Sequence, residues 1–293
     1  MRSSPLAGRT VVVTGAARGL GAALAREVAG RGARVALLGH EKDALDAVAA
    51  RLPGPALAVE VDVTDLDALT AAADEVRARL GRPSAVVANA GIAEGGPFLA
   101  SDPATWRRVI DVNVTGSAHT ARAFLPDLFD TAGYFLQIAS LASIGAVPMM
   151  SAYCASKAGA EAFAHALRAE VAHRGVAVGI GYLSWTDTDM IRDADRYPVM
   201  RELRAHLPPP ARRTHPAEPV AARLAKAMER RRTAVYAPAW LRAVQPVRPL
   251  LPPVVARLSR RELSRSRGGE LLGYTGPLGA GGAADRTAHE QGP

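Results

Sequence analysis

The sequence has little of several features that mark particular protein classes. One of its 293 residues is cysteine, which excludes an internal disulfide. Aromatic residues make up 5% of the chain, so few side chains are present for stacking on nucleic-acid bases, and no nucleic-acid-binding motif is found. No apolar run reaches the roughly 18 residues of a membrane-spanning helix. Because the first strand-like run begins too early to leave room for a signal peptide, we expect a cytoplasmic protein without nucleic-acid partners.

Acidic residues are scarce in the C-terminal quarter. Residues 199–267 contain 16 Lys and Arg against 4 Asp and Glu, a net charge of +12 in a chain whose total is +8. Leu and Val recur at helical spacing over residues 241–258, but four prolines between 246 and 253 interrupt a continuous helix. We expect short amphipathic pieces in a basic extension, residues 241–267. They either pack on the body of the protein or make a peripheral contact with an anionic membrane.

Strand and helix patterns alternate through the rest of the chain. Seven short runs rich in Val, Leu and Ala lie at residues 10–15, 34–39, 56–63, 84–91, 134–140, 176–183 and 233–238. The alternation predicts an α/β fold in which right-handed helical crossovers join parallel strands. The near-continuous apolarity of these runs fits strands that are buried on both faces. We therefore expect a doubly wound parallel sheet in a single domain, residues 1–240.

Two stretches in the last third have little apolar periodicity. Residues 207–219 form a proline-rich connector, and we place most of it in a substrate loop that spans about residues 184–215. Residues 268–293 combine glycines with polar residues. We expect this final segment to be disordered.

Three glycines follow the first predicted strand in the stretch TGAARGLG. Gly15, Gly19 and Gly21 stand at the turn from strand to helix, with Leu20 between the last two. Glycine permits a tight turn and a close approach of the backbone to a pyrophosphate, whose charge is favoured by free N–H groups at a helix start. The pattern predicts a dinucleotide-binding site.

Tyr153 and Lys157 lie four residues apart in the stretch SAYCASK, so on a helix they share one face. A free tyrosine has a pKa of about 10, and a fixed ammonium group nearby stabilises the phenolate and lowers that pKa. The pair therefore predicts a proton-transfer centre. A structural pair on a helix surface is the alternative interpretation.

With ANAG at 88–91, these motifs resemble the classical short-chain dehydrogenase/reductase family over about residues 8–240. The resemblance implies a Rossmann-type sheet and catalysis at a hydroxyl or carbonyl group. It implies that Ser140 hydrogen-bonds the substrate oxygen, that Lys157 holds the cofactor ribose, and that Asn113 orders a relay water. Ser143 competes with Ser140, but the spacing to Tyr153 favours Ser140.

The resemblance also implies which residues contact the cofactor. Asp62 and Val63 would contact the adenine, Asn89, Ala90 and Gly91 would line the ribose side, and Thr186 and Thr188 would reach the amide. Relatives that use NAD carry an acid at the end of the second strand, where this chain has Gly39. His40 follows it, and Arg18 lies in the glycine turn. Two potential cations without a carboxylate favour NADP(H) over NAD(H).

The sequence departs from the family after the sixth strand, where Leu183 and Ser184 replace the usual Pro-Gly. The substrate loop that follows is apolar, which indicates a hydrophobic substrate, although packing is an equal explanation for half of its apolar residues. They are Trp185, Met190, Ile191, Tyr197, Met200 and Leu203.

A possible subunit interface follows the Tyr153 motif. Ala160, Phe163, Leu167 and Val171 form an apolar stripe on a predicted helix, and relatives often pair such helices as homodimers or homotetramers.

The sequence therefore predicts an NADP(H)-dependent oxidoreductase that interconverts a hydrophobic ketone and a secondary alcohol. No cluster of His, Cys or acidic residues has metal-ligand spacing, so no catalytic metal is expected. The alternative is a catalytically silent protein that binds the dinucleotide as a redox sensor.

Overall fold

A computed structural model describes residues 4–205, 207–265 and 273–290. Its strands are β1 (Thr10–Thr14), β2 (Arg34–Gly39), β3 (Ala56–Glu60), β4 (Pro83–Ala88), β5 (Tyr134–Ser140), β6 (Ala177–Leu183) and β7 (Ala234–Ala237). They form one parallel sheet in the order β3-β2-β1-β4-β5-β6-β7. Every strand falls in or within one residue of a predicted run, so the prediction of a doubly wound parallel sheet is confirmed.

Helices connect the strands and cover both faces of the sheet. They are α1 (Gly19–Gly30), α2 (Lys42–Ala49), α3 (Leu66–Leu80), α4 (Pro103–Ile110), α5 (Gly116–Asp130), α6 (Leu141–Ile144), α7 (Ser151–Val171), α8 (Asp189–Ala194), α9 (Pro198–Ala205), α10 (Pro209–Arg212) and α11 (Ala217–Glu229). After β7 come α12 (Leu241–Val244), a 3₁₀ segment (Gln245–Leu250), α13 (Leu251–Arg265) and α14 (Gly279–Glu290). Within the described residues no helix is both long and apolar enough to cross a membrane.

Alternate residues of each strand point to opposite faces, and both faces are apolar. In β1, Val12 packs in a core with α3, α5 and α7, whereas Val11 and Val13 pack with α1, α2 and α11. All three valines are fully buried. The uninterrupted apolar runs in the sequence follow from this burial on two sides.

The strand order reverses at β1, which pairs with β2 on one side and with β4 on the other. Connections from these strands leave to opposite sides, and a crevice opens at their carboxyl ends. In sheets of this kind the crevice is where ligands bind. The glycine turn after β1 and the residues after β4 are both placed at its floor.

Helix α7 places the predicted subunit stripe toward the interior. Ala160, Leu167 and Val171 are buried in the chain's own core, and Phe163 is partly buried against it. The interface expected for this stripe is wrong, because the residues already pack on the sheet and on neighbouring helices. Helical spacing indicates an apolar face but does not say what covers it.

The basic extension packs on the body through one face. Leu241 is fully buried, and Arg248 donates to the Glu161 carboxylate at 2.9 Å and to the backbone oxygen of Ser143. Short pieces occur as expected up to residue 250. Helix α13 is longer, because Pro252 and Pro253 lie in its first turn, where the missing N–H groups are tolerated.

The C-terminal segment contradicts the expectation of disorder over residues 268–293. Residues 273–278 run beside the loop after β4, where the N–H groups of Thr275 and Leu278 donate to Gly95 O and Ala93 O, each at 2.8 Å. Leu278 is 1% exposed, and α14 follows. Backbone hydrogen bonds and a few buried side chains hold the segment, so it needs no apolar periodicity. Residues 268–272 and 291–293 lie outside the described part of the chain.

Candidate active site

The glycine turn has a geometry that larger residues would not allow. Gly15 and Gly19 have φ values of +63° and +52°, in the left-handed region. A Cβ on Gly21 would lie 2.1 Å from the Gly15 carbonyl oxygen, and a Cβ on Gly15 would lie 2.8 Å from the Ala90 Cα. The turn after β1 and the loop after β4 are therefore packed backbone to backbone.

Asn89 fixes this contact. Its side-chain amide donates to the carbonyl oxygens of Thr14 and Gly15 at 2.9 and 3.2 Å, and its backbone N–H donates to the Thr14 hydroxyl at 3.0 Å. The side chain thus holds the end of β1 against the end of β4. This gives Asn89 a structural role beside its expected position in the cofactor site.

A cleft of about 240 Å³ lies at the carboxyl edge of the sheet. Its wall brings together most of the residues that the sequence proposes for cofactor contact and catalysis. These are Gly15, Arg18, Gly19, Leu20, Gly21, His40, Val63, Asn89, Ala90, Gly91, Ser140, Tyr153, Lys157, Thr186 and Thr188. Two proposed residues, Asp62 and Asn113, do not line it. The Asp62 carboxylate instead accepts hydrogen bonds from the Thr64 N–H at 2.8 Å and from Arg108 at 2.7 Å.

Ser140 and Tyr153 meet where this cleft joins a second, more apolar cavity of about 70 Å³, and both residues line both spaces. Ser140 ends β5 and caps α6, accepting a hydrogen bond from the Ala142 N–H at 3.1 Å. Its hydroxyl is also near enough to the Tyr153 side chain to favour the ionised tyrosine. The competing Ser143 donates its hydroxyl to the Ser140 carbonyl at 2.7 Å, which turns it away from this junction.

Burial raises the pKa of Tyr153, and the nearby Ser140 hydroxyl offsets only part of that rise. The sequence led us to expect that Lys157 lowers the pKa of Tyr153, but in the folded protein the net shift of that pKa is upward. The Lys157 Nζ lies 5.7 Å from the centroid of the Tyr153 ring, so the ammonium is near the tyrosine without being in contact with its ring. Tyr153 is consequently a neutral phenol around pH 7, the form that donates a proton.

Lys157 is buried beside the tyrosine. Its Nζ donates to the Ile138 carbonyl at 3.3 Å, and burial lowers its pKa to about 8. A lysine with this pKa is still mainly charged at pH 7. A Cβ on Gly91 would lie 3.3 Å from the Lys157 Nζ. Because Gly91 has no side chain, the ammonium lies close to the backbone of the loop after β4.

Asn113 lies in a π-helical turn, Asp111–Thr115, between α4 and α5. Its side chain is fully buried: Oδ1 accepts from the Ile92 N–H at 2.9 Å, and Nδ2 donates to Ile92 O at 2.9 Å and to Ser156 Oγ at 2.8 Å. The amide thus ties the loop after β4 to α7, one residue before Lys157. Its expected role in ordering a relay water remains a prediction.

The second cavity lies under the substrate loop. Among the apolar loop residues, Trp185, Met190, Ile191 and Met200 line it, whereas Tyr197 packs nearby and donates to Thr275 O at 3.2 Å. The side chain of Leu203 lies outside the described part. Sequence reasoning missed several further apolar residues in the wall, among them Val147, Met150 and Leu278. Val147 and Met150 lie just before the Tyr153 motif, whereas Leu278 had no signal in the sequence.

Ser184, one of the two residues that replace Pro-Gly, faces both spaces. Its hydroxyl is buried and has no hydrogen-bond partner among the described residues. A buried hydroxyl without a protein partner is stabilised when a polar ligand fills the cleft. The site thus contains a polar group that a bound molecule would satisfy.

Comparison with known proteins decides the family. The family described as short chain dehydrogenase matches residues 9–197. The chain is a member of the short-chain dehydrogenase/reductase family. Its relatives include galactitol 2-dehydrogenase (L-tagatose-forming) of Cereibacter sphaeroides, 37% identical over 75% of this chain and 87% of that protein. They also include (-)-trans-carveol dehydrogenase of Rhodococcus erythropolis, 33% identical over 66% and 76%.

A solved structure extends the comparison. A metagenomic short-chain oxidoreductase in complex with NADP is 35% identical, with a TM-score of 0.59 over 62% of this chain and 84% of that chain. Short-chain dehydrogenases bind a nicotinamide dinucleotide, which accepts or supplies the hydride when bound. The glycine turn, the cleft and the unpartnered Ser184 hydroxyl fit such a ligand, so this chain is an oxidoreductase of that family.

Proposed function

We propose that the chain interconverts a hydrophobic ketone and its secondary alcohol with a nicotinamide dinucleotide as cofactor. The observation that carries the proposal is the place of Ser140 and Tyr153, which both lie at the junction of the two cavities and line both spaces. A substrate oxygen at this junction would meet both hydroxyl groups. Its carbon would then face the cleft that the glycine turn builds.

In the reducing direction, the Tyr153 hydroxyl donates its proton to the carbonyl oxygen as that oxygen gains negative charge. Ser140 donates a hydrogen bond to the same oxygen. The phenolate left on Tyr153 is stabilised by the nearby Lys157 ammonium, a contribution that grows as the charge forms. In the oxidising direction the proton moves the opposite way.

Lys157 and Asn113 support this centre in different ways. Lys157 supplies positive charge and, by its place beside Gly91, would hold the cofactor ribose. Asn113 positions the loop after β4 and the start of α7 through its three side-chain hydrogen bonds. The relay water that it would order completes the path by which Tyr153 regains a proton.

The lining of the second cavity supports an apolar substrate. Its wall includes the large apolar side chains of Trp185, Met150, Met190, Met200 and Leu278, and within the described residues no charged side chain lines it. The name of the carveol dehydrogenase relative points to an alcohol of this kind, whereas that of galactitol 2-dehydrogenase points to a polyol. The cavity favours the first class, because polyol hydroxyl groups would lose their hydrogen bonds with water there.

The preference for NADP(H) or NAD(H) is harder to assign from the structure than from the sequence. Arg18 and His40 line the cleft as expected for NADP(H), and one solved relative holds NADP. Both basic side chains are already paired with carboxylates, Arg18 with Glu41 and His40 with Asp285. The sequence favoured NADP(H) on the expectation that no carboxylate lay beside these two side chains. The choice between the two dinucleotides therefore depends on these pairs.

We also propose a cytoplasmic location with peripheral membrane contact through α13. The outer face of α13 carries Val254 and Leu258, and Leu250, the last residue of the 3₁₀ segment before it, continues the spacing of four; the three are between 51% and 63% exposed, and Arg257 and Arg260 are exposed beside them. Acidic residues are absent from positions 230–261.

A homodimer or homotetramer remains a prediction from the family, without support from the buried stripe on α7.

A panel of carbonyl compounds tests the proposed activity. Purified protein is mixed with NADH or NADPH and with open-chain, cyclic and polyhydroxylated ketones, and loss of the reduced nicotinamide absorbance is followed. We expect turnover with apolar ketones in preference to polyhydroxylated ones. Tight cofactor binding without turnover of any ketone or of the matching alcohols would favour the redox-sensor alternative instead.

A further inference from the structure

The C-terminal segment forms part of the cofactor cleft. Leu278, Gly281, Gly282 and Asp285 line it opposite the glycine turn. They come from a part of the chain that lies beyond the matched family region, which ends at residue 197. A Cβ on Gly281 would meet no atom within 4 Å, so this side of α14 borders open space.

Specific contacts set the position of α14. The Gly279 N–H donates to the Asp193 carboxylate at 2.8 Å, and a Cβ on Gly279 would lie 2.6 Å from the Met190 Cα. The first turn of α14 is therefore in direct backbone contact with α8 of the substrate loop. These contacts and the backbone hydrogen bonds of Thr275 and Leu278 fix the position of α14 beside the cleft.

Asp285 is the charged residue that α14 brings to the cleft. Its side chain is 4% exposed and accepts hydrogen bonds from Arg108 Nη2 at 2.6 Å and Nε at 3.0 Å. Its Oδ1 also lies 3.4 Å from His40 Nε2. Burial raises the pKa of Asp285, but the hydrogen bonds from His40 and Arg108 outweigh it and lower that pKa to about 2. Asp285 is thus a carboxylate at any physiological pH.

The position of Asp285 matters because of what the end of β2 lacks. Relatives that use NAD place an acid there for the ribose hydroxyls, and this chain has Gly39 followed by His40. Resting on the proposed function, we infer that Asp285 supplies this carboxylate from the C-terminal helix and makes the site favour NAD(H) over NADP(H). It is a specificity-determining residue 245 positions away from His40 in the sequence.

The charges around the site support this assignment. A 2′-phosphate carries about −1.5 to −2 charges and is bound best by cations that are free to pair with it. The basic side chains that line the cleft near the end of β2 are Arg18 and His40, and each already faces a carboxylate, Glu41 and Asp285 respectively. A phosphate there would be repelled by both carboxylates. Ribose hydroxyl groups, in contrast, can donate to them.

Cofactor affinity tests the inference without relying on turnover. Binding of NAD⁺ and NADP⁺ is measured by calorimetry for the full chain, for Asp285→Asn and for Asp130→Asn. Asp130 ends α5, is exposed and pairs with Arg82, so its variant loses the same charge at the opposite edge of the sheet. Circular dichroism confirms that each variant is folded.

The wild type and Asp130→Asn are expected to bind NAD⁺ more tightly than NADP⁺. In Asp285→Asn the ratio of the two affinities should move toward NADP⁺ by about tenfold, since one charge at a few ångströms is removed. Wild-type preference for NADP⁺, an unchanged ratio in Asp285→Asn, or an equal gain in both affinities would overturn the inference. An equal gain would identify α14 as a block on the cleft. Binding of neither dinucleotide by the wild type would overturn the proposed function itself.

Discussion

Lys157 combines a charge with nearly complete burial, which is costly for a side chain that serves only the fold. Within the described residues no carboxylate pairs with it, and its recorded hydrogen bond goes to the Ile138 carbonyl. Such a charge is tolerated at sites where function needs it. Sequence spacing predicted that Lys157 lies on the same side of its helix as Tyr153, and both residues line the cleft. The direction of the Tyr153 pKa shift could not be read from spacing, because burial decides it.

The lowered pKa of Lys157 predicts a pH-dependent stability. The pKa falls from 10.5 in an unfolded chain to about 8 in the folded state, so between these values the unfolded chain binds more protons and stability rises with pH. Lys157→Met removes this titration. At pH 7 the variant should be more stable by about 3 kcal/mol, and the gap should shrink toward pH 10.

Urea denaturation of the cofactor-free protein at several pH values measures the gap. Lys226→Met is the control, since Lys226 is exposed on α11 and its replacement should leave stability nearly unchanged at every pH. A gap for Lys157→Met that stays constant from pH 7 to 10 would refute a lowered pKa.

At the scale of secondary structure, two of the three glycines in α1 differ in the space that surrounds them. Gly21 has no room for a Cβ, which would lie 2.1 Å from Gly15 O, whereas Gly30 at the other end has no atom within 4 Å of that position. We expect Gly21→Ala to destabilise the protein by about 1–3 kcal/mol and to weaken dinucleotide binding. Gly30→Ala should be neutral or stabilising by up to about 1 kcal/mol.

Thermal unfolding and dinucleotide titration of the two variants check this pair. Equal effects of both substitutions would show that helix propensity, and not the contact between the glycine turn and the backbone, decides the result.

The bounds of several elements could be predicted from sequence patterns. The start of α1 was predicted from the glycines, and the strand bounds agree within a few residues. Parallel strands buried on both faces give a strong local signal.

For the whole molecule, the features that sequence did not reveal depend on contacts between distant parts of the chain. Asp285 lies beside His40, and Leu278 lines the second cavity. Leu278 and Asp285 both belong to the C-terminal segment, whose composition is that of a disordered tail. The buried face of α7 was misassigned for the same reason, since periodicity does not identify the partner. Local motifs predicted the catalytic side of the site, and long-range contacts shaped its cofactor side.

The exposed face formed by α13 and the last residue before it, Leu250, predicts salt-dependent binding to anionic vesicles. Apolar side chains at Leu250, Val254 and Leu258 would enter the interface, while the arginines attract acidic headgroups. Replacing all three with Ser should abolish sedimentation with anionic vesicles at low salt. Phe98→Ser with Leu99→Ser removes exposed apolar surface elsewhere and should leave binding intact. If the unmodified chain does not sediment with anionic vesicles, membrane contact is excluded.

The measurement that tests the account most directly is steady-state reduction of a ketone substrate by Tyr153→Phe, with cofactor affinity measured on the same sample. Phe keeps the ring and its packing but removes the proton donor. Tyr134→Phe is the control, because that hydroxyl donates to Arg232 O at the start of β5, away from the cleft. The account predicts that kcat falls about 10²–10⁴-fold in Tyr153→Phe alone, with cofactor affinity unchanged within about twofold. Turnover by Tyr153→Phe at the wild-type rate would contradict it.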